Sequence, residues 1–307
     1  PKVFFFFFET LILTKNELID ISTNICVLQK LRVFNLNENK INSIPDEIGN
    51  LCALTELHIR GNQLSSVNPN LCKLTTLVHL DISENQIAEL PANIGDFQNL
   101  VTLEAQHNSI SEFSEGLCTI ETLVTLKLHD NQISSIPAGI GNLVNLCELY
   151  LQENKLKTVP SEIGKAQNLR KLYLEYNQLS SLPEQIADLR KLVILILHHN
   201  MLSQLPSCIA NMTNLLRLSL NDNPLDARTL EIIQTEGALA LVNKEQQDTG
   251  GSKKFDSIQR RTTLRSGGMK PIISRSSTLN PSIMRSNSVQ SFKSKNLKFS
   301  SFVNVRL

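Results

Sequence analysis

No stretch of the chain approaches the roughly 20 consecutive apolar residues that a transmembrane helix needs. A run of phenylalanines near the start could suggest a signal peptide, but Glu9 and Thr10 interrupt its apolar character. The sequence therefore gives no sign of a membrane-spanning helix and little sign of a secretory leader.

Motifs of the common enzyme classes are also missing. The chain has no glycine-rich phosphate loop, no G-x-S-x-G, no H-E-x-x-H and no paired-cysteine motif. Serine, histidine and acidic residues are present, but a catalytic triad needs an enclosed pocket that excludes water. We therefore expect a protein without enzymatic activity, without catalytic residues and without a cofactor.

Cysteine is sparse, and its spacing argues against disulfide bonds. Cys26, Cys72 and Cys118 lie 46 residues apart, which is twice the repeat length described below. Strands two repeats apart are separated by about 10 Å, too far for a disulfide or a shared metal ion. Unpaired cysteines are typical of a reducing compartment, so we expect a cytoplasmic protein.

The dominant feature of the chain is an internal repeat of 23 residues. Steps of 23 from Asn131 reach an asparagine every time, and the frame L-x-x-L-x-L-x-x-N-x-L-x-x-L-P-x-x-I-G-x-L recurs around each one. A fixed period of about 20 to 50 residues is typical of a solenoid. We predict that a column of these amides bonds to the backbone of neighbouring loops and forms a structural ladder. Its members are Asn39, Asn62, Asn85, Asn108, Asn131, Asn154, Asn177, Asn200 and Asn223.

The spacing within one repeat predicts its local structure. The segment L-x-x-L-x-L alternates apolar and polar residues at its end, which is typical of a short strand with one buried face. Proline opens the second half of the frame and suits a first helical position, so we expect a short helical or 3-10 return. One repeat cannot bury its own leucines, but stacked repeats can. The sequence therefore predicts an α/β solenoid with one parallel sheet.

Four segments follow from this frame. Residues 1–7 are a low-complexity or wrongly placed start, and residues 8–225 hold ten 23-residue units, the last one partial. Residues 226–248 are predicted to form capping helices, with Asp226 as the N-cap of the first. No comparable cap precedes the first repeat, so we expect that the natural chain starts earlier. Residues 249–307 are predicted to be a disordered basic, serine-rich tail.

The segments SIPDEIGNL, ELPANIGDF, SIPAGIGNL, TVPSEIGKA and SLPEQIADL resemble the leucine-rich repeat family. They are similar in particular to its intracellular 23-residue class, which includes the Ras-suppressor and Scribble-type proteins. The resemblance covers about residues 8 to 243 and departs from the pattern at Asn68 and Ser114, which replace the proline. It implies a curved horseshoe whose concave parallel sheet binds protein partners and whose convex side carries the short returns.

Four positions of the frame, numbers three, five, seven and eight, are predicted to face the concave side. All six histidines and all three tyrosines of the chain fall on them, and such stiff, amphipathic side chains suit a protein-binding surface. The alternative is that these side chains are solvated and fill a sheet face. The candidate contact residues are His58, Arg60, His79, Asp81, Glu104, His107, Lys127, His129, Tyr150, Glu153, Tyr173, Glu175, Tyr176 and His198.

Two patches are expected on this surface. The earlier repeats present a mixed, mainly acidic field around His79 and Glu104, and the later ones an aromatic centre of Tyr150, Tyr173 and Tyr176 with a charged rim. His107 and His129 on neighbouring strands could begin a metal site, but no third ligand is specified, so no metal is predicted.

The tail has a charge opposite to that of the repeats. Residues 249–307 contain 12 basic residues and one acidic residue, a net charge of +11, whereas the remainder carries −10. Thr263, Thr278 and Ser288 follow arginines at the spacing that basophilic kinases prefer. Phosphates there could recruit an adaptor protein. Contact with anionic lipid is a weaker alternative, and nucleic-acid binding is not expected because aromatic residues are not interleaved with the charges.

These features lead to two functional hypotheses. The first is a non-catalytic scaffold in intracellular signalling that binds a protein partner, such as a small GTPase or a phosphatase, on its concave sheet. The second is that the repeats are the recognition segment of a larger signalling enzyme, such as a kinase, a phosphatase or a GTPase.

Overall fold

A computed structural model describes residues 8–236 of the chain. Ten short parallel strands form a single sheet in chain order, so each repeat contributes one strand next to the one before it. This arrangement confirms the predicted solenoid with one parallel sheet. The strands are β1 Thr10–Ile12, β2 Val33–Asn35, β3 Glu56–His58, β4 His79–Asp81, β5 Thr102–Glu104, β6 Thr125–Lys127, β7 Glu148–Tyr150, β8 Lys171–Tyr173, β9 Ile194–Ile196 and β10 Arg217–Ser219.

The strand register follows from the constant repeat length. Each strand residue pairs with the residue 23 positions later, as Leu103 does with Leu126 and Leu126 with Leu149. Side chains alternate across a strand, so the central leucine of each strand points to one face while its two neighbours point to the other. The three leucines are fully buried, and a single hydrophobic core runs from Ile21 to Leu225.

The returns between strands are all short 3-10 helices, which settles the prediction of helical or 3-10 segments. They are Thr23–Val27, Asp46–Asn50, Pro69–Lys73, Ile94–Asp96, Glu115–Thr119, Ala138–Asn142, Ser161–Lys165, Glu184–Asp188 and Ser207–Asn211. Proline precedes the helix in five of them and presets the backbone for its first turn.

Repeats that lack this proline form their returns as well. Asn68 takes its place, and its side-chain oxygen accepts a hydrogen bond from the backbone N–H of Asn70. Ser22 does the same for the backbone N–H of Asn24. Side-chain capping therefore replaces proline at two of the three exceptions. Ser114 begins the third return without a side-chain cap.

The asparagine of each repeat ties two neighbouring repeats together. Asn131 Oδ1 accepts a hydrogen bond from the backbone N–H of Ile110 at 2.9 Å. Asn131 Nδ2 donates to the carbonyl oxygens of Ala105 in the preceding repeat, at 3.1 Å, and of Leu128 in its own, at 3.0 Å. The accepting bond recurs at 2.9–3.2 Å in all nine predicted ladder residues. Each amide therefore pairs backbone groups that the turn out of the strand would otherwise leave unpaired.

The residue before each asparagine adopts a left-handed backbone conformation. Its φ lies between 52° and 66° in all ten repeats, and only at Gly61 is this residue a glycine. This conformation turns the chain out of the strand, so the side chain at position eight projects beyond those of the strand itself. His107, Glu153 and Tyr176 are exposed for this reason.

The cysteines are free thiols, and all six lie in the described part of the chain. Cys72 and Cys118 are buried, and burial raises the pKa of each thiol to about 12. Cys26, at the same position of the frame, is only partly buried because it belongs to the first return of the stack. The expectation of a buried cysteine therefore holds for two of the three.

A ten-residue helix, α1 at Ala227–Glu236, follows the last strand. The Asp226 carboxylate accepts a hydrogen bond from the backbone N–H of Thr229 at 3.0 Å and another from its hydroxyl at 2.8 Å, which caps the helix. Among residues 8–236, no helix has both the length and the apolar character needed to cross a membrane. The predicted start at 1–7, the later part of the 226–248 cap, the tail at 249–307 and the sites Thr263, Thr278 and Ser288 lie outside the described residues.

Candidate functional site

The candidate surface is the face of the sheet opposite the core, formed by frame positions three, five, seven and eight; we call it the sheet face. Positions three and five are the first and last residues of each strand, and they flank the buried leucine. Every candidate contact residue predicted from the sequence lies at one of the four positions. The repeat frame therefore decides which side chains are available to a partner.

Charged side chains on β3 to β6 are largely paired with one another. Arg60 Nη2 lies 2.6 Å from Glu84 Oε1, and Lys127 Nζ lies 3.0 Å from Glu104 Oε2. His79 on the other side and Lys127 together lower the pKa of Glu104 to about 2. Asp81 is buried and accepts a hydrogen bond from the Ser83 hydroxyl at 2.6 Å. The expected acidic field is therefore a network of satisfied charges.

Histidines of this region form two edge-to-face pairs. The rings of His58 and His79 lie 4.8 Å apart, and those of His107 and His129 lie 5.3 Å apart. His107 Nδ1 is 2.5 Å from Asp130 Oδ2, so one of the two candidate metal-binding histidines is already engaged. Across residues 8–236, no group of three or more His, Cys, Asp or Glu side chains is placed to hold a metal ion.

The aromatic patch is centred on two stacked tyrosines. The rings of Tyr150 and Tyr173 are 4.7 Å apart and nearly parallel, with an interplanar angle of 6°. The Tyr150 hydroxyl donates to Glu148 Oε2 at 2.8 Å, and Lys171 Nζ lies 2.7 Å from Glu148 Oε1. Burial and this contact with the carboxylate raise the pKa of Tyr150. Hydrogen bonding holds Tyr150 in place, and stacking then fixes the neighbouring ring.

Tyr176 does not join this stack, which changes the predicted cluster of three tyrosines. Its ring stacks on His199 at 4.2 Å and meets His198 edge to face at 5.3 Å. The left-handed backbone at position eight directs it away from Tyr173, two positions earlier on the same face. The aromatic patch is therefore two separate stacks.

An apolar extension of the patch escaped the sequence analysis. Ile194 and Ile196 occupy positions three and five of β9, and Ile196 pairs in register with Tyr173. Ile196 is only 3% exposed although it lies on the sheet face. The frame itself was the available signal, because apolar residues stand there at positions that are polar or aromatic in the preceding repeats.

Position seven forms a half-buried row of hydrogen-bond acceptors along four successive strands. Gln106 Oε1, His129 Nδ1, Gln152 Oε1 and Glu175 Oε2 are buried and have no hydrogen-bond partner among the described residues. Burial raises the pKa of Glu175 and lowers that of His129 to about 4. The floor of the sheet face is therefore rich in acceptors that the repeats themselves leave unmatched.

Comparison with known families matches sequence profiles of leucine-rich repeats to most of this architecture. One profile, described as a leucine rich repeat, matches residues 9–64 and 167–225, and a second, described as a leucine-rich repeat region, matches residues 69–154. Together they cover more than half of the 307 residues. The chain belongs to the leucine-rich repeat family. Its ten-stranded solenoid is accordingly the curved solenoid of that family.

Solved leucine-rich repeat structures are similar to this chain. A leucine-rich repeat protein of Leptospira interrogans is 35% identical, with a TM-score of 0.72 over 76% of this chain and 58% of that one. The ectodomain of the Arabidopsis thaliana membrane receptor kinase GASSHO1/SCHENGEN3, in complex with Casparian strip integrity factor 2, is 32% identical, with a TM-score of 0.66 over 71% of this chain and 28% of that one.

A third similar structure is the plant peptide hormone receptor RGFR1 in complex with RGF2. It is 29% identical, with a TM-score of 0.58 over 71% of this chain and 40% of that one. The leucine-rich repeat chain described here thus spans less than two thirds of each of these proteins. No curated protein matches it by sequence. Leucine-rich repeat domains are commonly interaction modules and are generally non-catalytic.

Replacing His129 with glutamine is expected to make this leucine-rich repeat domain less sensitive to acid. Burial, followed by the charges of His107 and Lys127, lowers the pKa of His129 from 6.5 to about 4. The unfolded chain therefore takes up this proton first as the pH falls. The contribution of neutral His129 is present above pH 6.5 and is lost toward pH 4, by about 2 kcal/mol after allowance for partial exposure. Glutamine fits because Gln106 and Gln152 occupy the same position on the neighbouring strands.

Urea denaturation at pH 7 and near pH 4 measures this effect. The loss of unfolding free energy between the two pH values should be smaller in His129→Gln than in the parent chain. His199→Gln, which removes an exposed histidine of the same face, is the matched control. Equal losses in the parent chain and His129→Gln would contradict the assignment.

Proposed function

We propose that this chain is a protein-interaction module whose sheet face binds a protein partner in intracellular signalling. The observation that carries the proposal is the Tyr150 and Tyr173 stack, which lies beside Ile194 and Ile196 and is bordered by charged side chains. Aromatic side chains held rigidly at the centre of a polar surface are typical of interaction hot spots. The stack loses little conformational entropy on binding, because hydrogen bonding and ring contact already hold it.

Ligands of the similar structures support a protein or peptide as the partner. The Arabidopsis receptor ectodomain is in complex with Casparian strip integrity factor 2, and the plant receptor RGFR1 is in complex with RGF2. A small GTPase or a phosphatase remains the proposed kind of partner, on the resemblance to the intracellular 23-residue class. Six free cysteines support a cytoplasmic location, because unpaired thiols are typical of reducing compartments.

A selection from a library of displayed random peptides tests the sheet face directly. Peptides enriched on the full chain should bind at least about tenfold more weakly to the double variant Tyr150→Ser and Tyr173→Ser, because it removes the central aromatic contact area. Binding is measured by titration of the purified peptides. Circular dichroism and urea denaturation should show that the variant retains its fold.

Val144→Ser is the matched control. Val144 is 48% exposed in the turn before β7, outside the sheet face, so its replacement removes apolar surface without touching the proposed site. Unchanged binding to the double tyrosine variant, or an equal loss in Val144→Ser, would contradict the proposal.

The second candidate function is a recognition segment within a larger signalling enzyme. It is favoured by the similarity to part of a receptor kinase, of which the chain covers 28%. An immunoblot of the endogenous protein with an antibody to the repeats separates the two. A mass near 34.4 kDa favours the adaptor, and a much larger mass favours the enzyme segment. A phospho-dependent adaptor site and lipid contact on residues 249–307 remain predictions, since those residues lie outside the described range.

A further inference from the structure

Glu175 is a carboxylate without a matching donor on the sheet face. It occupies position seven of the eighth repeat, just after β8, and its Oε2 is buried without a hydrogen-bond partner among residues 8–236. Gln152 Oε1, at the same position of the preceding repeat, is in the same state. Strands of a sheet lie about 4.8 Å apart, so the two acceptors are neighbours along the row.

Other carboxylates of the face are matched by cations, which sets Glu175 apart. Glu104 is paired with Lys127, and Glu148 is paired with Lys171. Arg217 attracts Glu175 electrostatically, but no ion pair joins them in the described part of the chain. Burial and the nearby charge of Glu153 both disfavour the ionised form and raise the pKa of Glu175. A buried acceptor without a donor destabilises a protein, so a ligand that supplies the donor gains the corresponding free energy.

The surroundings of Glu175 are aromatic on both sides. Tyr173, two positions earlier, belongs to the stack with Tyr150, and Tyr176, the next residue, stacks on His199. Cations bind favourably against aromatic ring faces, and the planar guanidinium group stacks there while its N–H groups remain free to donate. A guanidinium group can also donate to two acceptors at once, whereas an ammonium group acts as a compact point charge.

We propose that Gln152, Tyr173, Glu175 and Tyr176, the Glu175 pocket, bind an arginine side chain of the protein partner. The proposal rests on the proposed function and deepens it by naming the residue that the partner contributes. The guanidinium group donates to Glu175 Oε2 and Gln152 Oε1 and lies against the tyrosine rings. Charge complementarity selects arginine over neutral side chains, and the forked geometry of the donors selects it over lysine.

The three tyrosines allow a direct test on the full chain. Because the chain has only three, Tyr150, Tyr173 and Tyr176, ring-labelled tyrosine gives three NMR signals without background. Millimolar N-acetyl-arginine amide should shift the Tyr173 and Tyr176 signals in a saturable manner. N-acetyl-citrulline amide, a neutral molecule of nearly the same shape, should leave them in place. Glu175→Gln should weaken the response to arginine amide about tenfold, since it removes a charge-assisted hydrogen bond.

Glu153→Gln is the matched control, because it removes the same charge from an exposed neighbour that is not part of the pocket. It should leave the response to arginine amide within about twofold of the parent chain. Absence of a saturable shift, equal shifts with citrulline amide, or an undiminished response in Glu175→Gln would each overturn the proposal. If peptides selected on the chain bind the sheet face without an arginine, only the pocket fails. If arginine amide binds but no displayed peptide does, the pocket stands and the proposed function fails.

Discussion

Replacing Asn131 with alanine is expected to lower the free energy of unfolding by about 3 kcal/mol. The substitution removes one acceptor and the donor that serves two neighbouring repeats, leaving the Ile110 N–H and the carbonyl groups of Ala105 and Leu128 unmatched. Asn131 is only 8% exposed, so water cannot easily replace its amide. Urea denaturation followed by circular dichroism measures the change.

Asn16→Ala is the matched control, and it should cost much less. Asn16 is exposed, and its amide bonds only to the carbonyl oxygens of Leu13 and Thr14 within its own repeat. A small effect at both positions would show that the ladder does not stabilise the stack. A large effect at Asn131 alone would show that the contacts between repeats are decisive.

Replacing Leu126 with alanine is expected to destabilise the chain by about 4 kcal/mol. Leu126 is the central residue of β6, is fully buried, and pairs in register with Leu103 on β5 and Leu149 on β7. Its truncation leaves a cavity that the strands cannot easily close, because two rigid neighbours hold the position open. The change is measured by urea denaturation, and a lower slope of the transition would indicate that the stack unfolds in parts.

Leu216→Ala is the matched leucine substitution outside the core. Leu216 is 65% exposed, so its truncation should alter stability by less than about 0.5 kcal/mol. Comparable losses at the two leucines would contradict the assignment of Leu126 to the core.

The fold could be predicted from the sequence because a constant period fixes the strand register. Once residues 23 apart pair, the positions of Leu103, Leu126 and Leu149 follow without further information. The same period placed Asn131 at the turn out of the strand, and the geometry of the turn accounts for its amide bonds. Asn68 shows the limit of the consensus, since side-chain capping substituted for proline and the return was retained.

The arrangement of side chains on the sheet face was less predictable. The frame assigned Tyr150, Tyr173 and Tyr176 to one face, but the left-handed backbone at Tyr176 separates it from the other two. Partners of charged residues depend on rotamers across neighbouring strands, so the pairing of Glu104 with Lys127 could not be deduced from spacing alone. The depth of position seven, which buries part of Glu175, likewise depends on the side chains around it.

Photo-crosslinking from single positions tests the central claim that the sheet face binds a protein partner. A photoreactive phenylalanine analogue replaces Tyr173 on the sheet face or Ser161, which is exposed in a return segment on the other side of the repeat. After irradiation in cells, the account predicts one discrete covalent adduct from position 173, sensitive to Glu175→Gln, and none from position 161. Adducts from position 161 alone, or equal adducts from both positions, would contradict it.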